Sequence, residues 1–203
     1  MSMAINKTNP ERLKRSRIFY GALTFFIVSI IILFINYLSN SGSLFFIQDR
    51  MGKNCCVFSA IKFRTMLPAK EITRKYDDPI ETNRITPLGK VLRKTRIDEL
   101  PQILNVLKGD MSLIGPRPDY YVHALEYLEN VEGYRERHTI RPGITGLSQI
   151  RLGYVETLEA TSKKTFIDNY YIKNLSYIIE LKIILNTIFI SFVSHIFVLF
   201  KFN

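Results

Sequence analysis

The chain has 203 residues, with 28 Lys and Arg against 18 Asp and Glu, and a formal net charge of +10. With a membrane segment set aside, that length holds one compact domain but hardly two, so one active site is expected. The charge fits an anionic membrane surface with phosphorylated substrates, or nucleic acid. The basic residues are dispersed and accompany no nucleic-acid-binding motif, which argues against nucleic acid as a partner. Cys55 and Cys56 are adjacent, while His123, His138 and His195 lie far apart. None of the closely spaced zinc patterns is present, and the cysteines read as buried structural ones.

Residues 1–17 form a polar, basic leader. The uncharged run Ile18 to Leu38 that follows is 21 residues long, enough at about 20 residues per bilayer core for a membrane helix. No small-residue cleavage pattern follows it, so the segment is expected to be retained. Lys7, Arg12, Lys14, Arg15 and Arg17 precede the run, and Arg50, Lys53, Lys62 and Arg64 follow it. Positive charge on both flanks conflicts with a single crossing. A re-entrant hairpin with a break at Ser29 places both flanks in the cytoplasm. A full span is the other reading, and charge alone leaves the two open.

Asn40 to Ser43 form a turn, and Leu44 to Ile47 reads as a short apolar strand or a segment along the membrane interface. Gln48 to Asn54 supplies turn residues around Gly52, and Val57 to Phe63 reads as a second strand with Lys62 and Arg64 at its end. Pro68 to Arg84 is a polar surface loop marked by Asp77, Asp78 and Pro79. Ile97, Leu100, Ile103, Leu104 and Leu107 then recur at helical spacing as one apolar stripe. Asp98 and Glu99 sit at its start, Pro101 is tolerated in the first turn, and the helix is expected to stop near Gly109. A helix over Leu125 to Tyr134, a rigid loop at Arg141, Pro142, Gly143 and Gly146, and an amphipathic helix over Thr165 to Ile178 follow. The strongly apolar tail Ile183 to Phe200 is a second span, an interfacial helix or a dimer surface.

An Asp–Glu pair at a helix start is common as ordinary capping. A carboxylate there is also stabilised as the anion, ready to attack phosphorus, and nearby backbone N–H groups can hold phosphate oxygens. Asp98 is therefore the candidate nucleophile. Glu99 is the candidate ligand for a divalent cation, because Mg²⁺ favours oxygen ligands and substrate phosphates. Arg117 lies between Pro116 and Pro118 in a stiff loop suited to a bidentate grip on phosphate, with a plain helix-terminating turn as the alternative. Arg141 before Pro142 repeats the arrangement. Lys62, Arg64, Arg93 and Arg96 are either phosphate ligands or a solvated face contacting lipid headgroups.

Four strings occur in order: FFIQDRMG from Phe45, IKFRTM from Ile61, RITPLGKVLRKTRIDELPQILNVLKGDMSLIGPRP from Arg84, and RPGITGLSQI from Arg141. From about Lys14 to Leu185 the chain resembles the bacterial sugar transferase family, the small monotopic phosphoglycosyl transferases that begin glycan assembly on polyprenyl phosphate. The resemblance implies that Asp98 attacks the sugar-linked phosphate of a UDP-sugar, releasing UMP and forming an aspartyl phosphosugar. Polyprenyl phosphate then takes the phosphosugar in a ping-pong sequence. It further implies a Mg²⁺ contact at Glu99, phosphate binding at Arg117 and Arg141, and a role for Asp168 in organising a substrate loop or pairing with a basic residue. Two departures stand out. The family's membrane helix breaks at a Ser-Pro pair, whereas Ser29 is followed by Ile30, and IRLGYVET after Gln149 lacks the family's commoner Asn-Gly-Arg continuation.

The expected architecture is an α/β, small monotopic membrane enzyme with an N-terminal re-entrant membrane helix and interfacial amphipathic helices. Residues 1–43 would form a basic leader and a membrane-inserted helical hairpin, 44–185 the catalytic domain, and 186–203 an apolar tail. Expected partners are a UDP-sugar, polyprenyl phosphate, membrane phospholipid and a second copy in a homodimer, at the cytoplasmic face of the inner membrane. The rival class is a nonenzymatic membrane adaptor, which would release no UMP.

Overall fold

In the computed structural model, Phe45–Met51 (β1) and Val57–Phe63 (β2) form an antiparallel hairpin, with Phe45 opposite Phe63 and Met51 opposite Val57. The structure describes residues 43–68, 81–153 and 157–199, with backbone alone at 191–199, and five separate positions between 30 and 37. The leader 1–17, most of the run Ile18 to Leu38 and the polar stretch 69–80 lie outside the described residues. Among the described residues, no helix is long and apolar enough to cross a membrane.

Strand β1 runs further than the sequence suggests. Gln48 to Met51 are strand rather than turn, and alternate side chains along β1 are exposed. The reversal falls at Gly52 to Cys56, where the Gly52 N–H donates to the Cys56 carbonyl at 2.7 Å. Cys55 is only partly buried and Cys56 is exposed, so the cysteines belong to this surface turn and not to a core. His138 Nδ1 donates to the Gly52 carbonyl at 3.1 Å and fixes the turn from behind.

Pro87–Lys94 (α1) begins where Thr86 caps the Gly89 N–H at 2.9 Å and Pro87 takes the first helical position. The helix passes so close to the end of β2 that a Cβ on Gly89 would lie 2.0 Å from the Thr65 carbonyl oxygen. Gly89→Ala is accordingly expected to destabilise the protein by roughly 1–3 kcal/mol through overpacking, read as a lowered thermal midpoint. An unchanged midpoint would show that α1 can move away from Thr65.

The stripe from Ile97 to Leu107 divides into a tight 3₁₀ segment, Ile97–Gln102, and an α-helix, Ile103–Lys108 (α2), which ends at Gly109 with φ +87°. Ile97 and Leu100 pack against the Phe63 and Leu92 core, but Leu104 and Leu107 are exposed. A polar tether carries out what the apolar stripe was expected to do. The buried Asn105 amide donates to the Ser59 carbonyl at 2.8 Å and accepts from the Ile61 N–H at 3.1 Å, pairing backbone groups on the open edge of β2.

Ser112–Ile114 (β3) runs parallel to Gly143–Thr145 (β4). The two Pro-Gly motifs thereby join backbone to backbone: Gly115 N–H donates to Thr145 O, and Gly143 N–H to Pro116 O, each at 2.9 Å. Tyr121–Asn130 (α3) starts four residues before the expected helix and supplies Ala124 and Tyr127 to a core with Met51, Val131 and Tyr134. Leu147–Leu152 (α4) follows the second motif. The helix expected over Thr165 to Ile178 is two helices, Leu158–Lys173 (α5) and Tyr177–Leu199 (α6), separated at Asn174 to Ser176. Leu147, Tyr171 and Ile183 join α4, α5 and α6 in a third core. Beyond Ile183, the described side chains Ile184, Leu185, Ile188, Phe189 and Ile190 of α6 are exposed. The fold is mixed α and β, with two small sheets among the described residues.

Candidate active site

The 3₁₀ segment packs on β2, and this contact builds the site. Arg96 turns the chain through a left-handed conformation, φ +61°, so that Asp98 and Glu99 both point inward, 8% and 5% exposed. Lys62, at the end of β2, donates to Glu99 Oε1 at 2.8 Å. Arg117 approaches from the Gly115 to Pro118 loop, with Nη1 donating to Glu99 Oε2 at 3.0 Å and Nη2 to Oε1. The grip is bidentate, as the stiff loop suggested, but it holds a protein carboxylate.

The two acids are therefore electrostatically distinct. Burial pushes Glu99 up, but the adjacent Arg117 and Lys62 charges outweigh it and hold Glu99 well below the usual carboxylate range. Asp98 moves the other way. Its burial, reinforced by Glu99, overcomes the attraction of Lys62 and Arg117 and raises its pKa. The helix-start stabilisation expected for the Asp98 anion is thus outweighed by desolvation. Asp98 Oδ1 is buried and accepts no hydrogen bond. Burial and the Arg117 charge press Lys62 down to about 8.

Asp98 opens into a cleft of about 770 Å³, whose wall also includes Lys62, Arg64, Arg93 and Arg117. Arg93 brings a buried Nη1 without a hydrogen-bond partner. Arg64 is tied to Ser43 through its carbonyl and hydroxyl, each at 2.7 Å. Arg96 and Arg141 are exposed and do not line the cleft. Asp168 does not reach it either; it is 1% exposed and accepts from Arg137 Nε at 3.0 Å.

That last pair belongs to a network the sequence did not reveal. Arg137 also bonds Asp119 and donates to the Arg117 carbonyl at 2.8 Å, while Lys164 and Tyr134 donate to Asp119 at 2.5 and 2.8 Å. Asp168 therefore acts behind the cleft, orienting the arginine that holds the Arg117 loop. Burial would raise Asp119, but Lys164 and Arg137 hold it far below the ordinary range. Burial and the Arg137 charge press Lys164, on the cleft wall, down to about 8. Of this network only Asp168 is singled out in the sequence, as a residue organising a loop or pairing with a basic partner; Asp119, Arg137, Lys164 and Tyr134 are not.

Among the described residues, no three acidic, histidine or cysteine side chains gather as a metal cage. Mg²⁺ needs none, because it is commonly held by one or two carboxylates with substrate phosphates and water. The unpartnered Asp98 Oδ1 beside Glu99 fits that kind of ion, although Glu99 already accepts from two cations.

Comparison with known proteins agrees with the motifs. The family model described as bacterial sugar transferase matches residues 14–194. The chain is 42% identical over 151 residues to a UDP-N-acetylgalactosamine-undecaprenyl-phosphate N-acetylgalactosaminephosphotransferase of Aeromonas hydrophila, covering 74% of this chain and 36% of that protein. It is 40% identical over 163 residues to the UDP-glucose:undecaprenyl-phosphate glucose-1-phosphate transferase of Escherichia coli strain K12, covering 77% and 34%. An exopolysaccharide production protein PSS of Rhizobium leguminosarum bv. phaseoli is 37% identical over 161 residues, covering 74% and 78%. The chain thus spans about a third of the length of the first two relatives. With the ordered motifs assembled around one cleft and a family match across most of its length, the chain belongs to the bacterial sugar transferase family.

Proposed function

We propose that this chain transfers a sugar 1-phosphate from a UDP-sugar to polyprenyl phosphate, undecaprenyl phosphate in bacteria, as the initiating step of surface glycan or glycoprotein glycan assembly. The carrying observation is Asp98 Oδ1, a buried carboxylate oxygen without a partner on a cationic cleft wall. That oxygen attacks the sugar-linked phosphorus, the bond to the bridging oxygen breaks, and UMP leaves with the electron pair. A phosphate oxygen of polyprenyl phosphate then attacks the aspartyl phosphosugar, releasing the Asp98 carboxylate and polyprenyl-diphosphate sugar. Arg93, Lys62 and Arg117 supply positive charge where phosphate charge develops. Glu99 holds Lys62 and Arg117 in place, and it would also hold Mg²⁺, which when bound neutralises diphosphate charge. The exposed apolar side chains of α6 support a tail resting against lipid or a second copy, in a catalytic unit on the cytoplasmic leaflet whose N-terminal hairpin, behind the basic leader, is inserted.

UMP release from a panel of UDP-sugars, with and without polyprenyl phosphate and Mg²⁺, tests the reaction. Metal-dependent release is expected from at least one donor. No release by folded, lipid-supplemented protein across a broad panel would favour the adaptor class.

A second measurement follows from Lys62 and Lys164, both pressed down to about 8. An anionic ligand favours their charged forms and raises both pKa values, so UDP binding at pH 8 is expected to take up roughly half a proton or more. Below pH 6.5 both lysines are already protonated and their uptake vanishes. Titration calorimetry in two buffers of different ionisation enthalpy reads this directly, and identical enthalpies at pH 8 would remove these lysines from the phosphate site.

A further inference from the structure

Helix α4 packs on α5, and beside that contact Ser148 and Gln149 form part of the cleft wall. Ser148 is 2% exposed, and its Oγ has no hydrogen-bond partner. The Gln149 amide is fixed in orientation. Its Nε2 donates to the Ile144 carbonyl at 3.1 Å, an acceptor that only the NH₂ end can satisfy. Its Oε1 is buried and has no partner. A buried polar atom without a partner is unfavourable, and a ligand that supplies one relieves that cost.

The wall therefore offers one locked acceptor, Gln149 Oε1, and one hydroxyl able to donate, Ser148 Oγ. Tyr120 and His123 line the same cleft as an edge-on pair with ring centroids 5.0 Å apart, giving flat surface for a planar ligand. We infer that Ser148 and Gln149 read the uracil base of the donor nucleotide. Gln149 Oε1 accepts the ring N3–H, and Ser148 Oγ donates to a flanking ring carbonyl. The inference rests on the UDP-sugar reading above and names the residues that make it uridine-specific.

The chemistry discriminates at one atom. Uracil N3 carries a proton, whereas cytosine N3 carries a lone pair, so an acceptor fixed opposite N3 binds the first base and repels the second. A sugar hydroxyl can donate or accept and does not require an acceptor locked in this way. Residues 154–156 lie outside the described residues and take no part in the argument.

The test is equilibrium binding of UDP, CDP and N3-methyl-UDP to the lipid-reconstituted full chain, with inorganic pyrophosphate as the reference ligand. The unaltered protein is expected to prefer UDP over both analogues by about tenfold or more. Ser148→Ala and Gln149→Met are each expected to weaken UDP by about tenfold with pyrophosphate binding retained, and Gln149→Met, which removes the acceptor opposite N3, to shrink the UDP to CDP ratio. The N3-methyl comparison uses unaltered protein and holds even where a variant fails to fold. Equal binding of UDP and N3-methyl-UDP overturns the inference, as does an unchanged UDP to CDP ratio in Gln149→Met. Variants that alter selectivity among UDP-sugars while keeping that ratio also overturn it and assign the wall to the sugar. The two readings fail separately: absence of UMP release from every donor defeats the transferase, while base selectivity is read from binding alone.

Discussion

Asp98→Asn is expected to reduce UMP release by at least about 10³-fold while leaving the fold intact. The amide has the shape of the acid but no anionic oxygen to form the phosphoryl bond. Folding has little to lose, because Asp98 Oδ1 accepts no hydrogen bond and burial already disfavours its charged form. A thermal midpoint equal to or above that of the parent protein should accompany the loss, together with retained membrane association. Glu99→Gln makes the contrast. It removes the buried negative charge that pairs the partly buried Lys62 and Arg117, so turnover and stability should fall together. Turnover of Asp98→Asn within tenfold of the parent would eliminate Asp98 as the nucleophile.

Arg137→Met is expected to be the most damaging substitution for stability. The guanidinium is fully buried and joins Asp119, Asp168 and the Arg117 carbonyl. Its removal strands the buried Asp168 and leaves Asp119 with Lys164 and Tyr134 alone, and breaking a buried pair from one side costs about 3–5 kcal/mol. At a size near 200 residues, that corresponds to a fall in thermal midpoint on the order of 10 °C. The pH dependence identifies the cause. Asp119 is held low in the folded protein, so its contribution is present above the ordinary carboxylate pKa and is lost as pH falls below it. The gap between parent and variant should therefore narrow as pH falls through the ordinary carboxylate range, about pH 4, where Asp119 of the variant, no longer held low by Arg137, takes up its proton. A gap that stays constant down to pH 3 would show that Arg137 acts by packing alone.

Local chemistry was legible wherever a residue and its neighbours in the chain suffice. Val57 to Phe63 reads as a short strand and is one, and Gly109 ends its helix at the left-handed position that glycine adopts without strain. The start of α1 is equally local, a capping hydroxyl at Thr86 followed by Pro87 at the first helical position. The apolar stripe at Leu104 and Leu107 misled, because helical spacing says which residues share a face and not whether that face meets a core. In the fold, Asn105 anchors that helix by hydrogen bonds, leaving both leucines exposed.

The sequence by itself determined the family, the Asp–Glu dyad and the cationic character of its surroundings, because these reside in ordered motifs and residue type. Only the tertiary structure decided how the charges are allocated. Glu99 meets Lys62 from 37 residues away and Arg117 from 18 residues away, while Asp98 beside it meets neither by a hydrogen bond at Oδ1. Asp168 reaches Arg137 across 31 residues, and Asp119 reaches Lys164 across 45. Desolvation and pairing depend on distances through space, which the order of residues along a chain does not specify. That is why two adjacent carboxylates with similar solution chemistry are driven in opposite directions here.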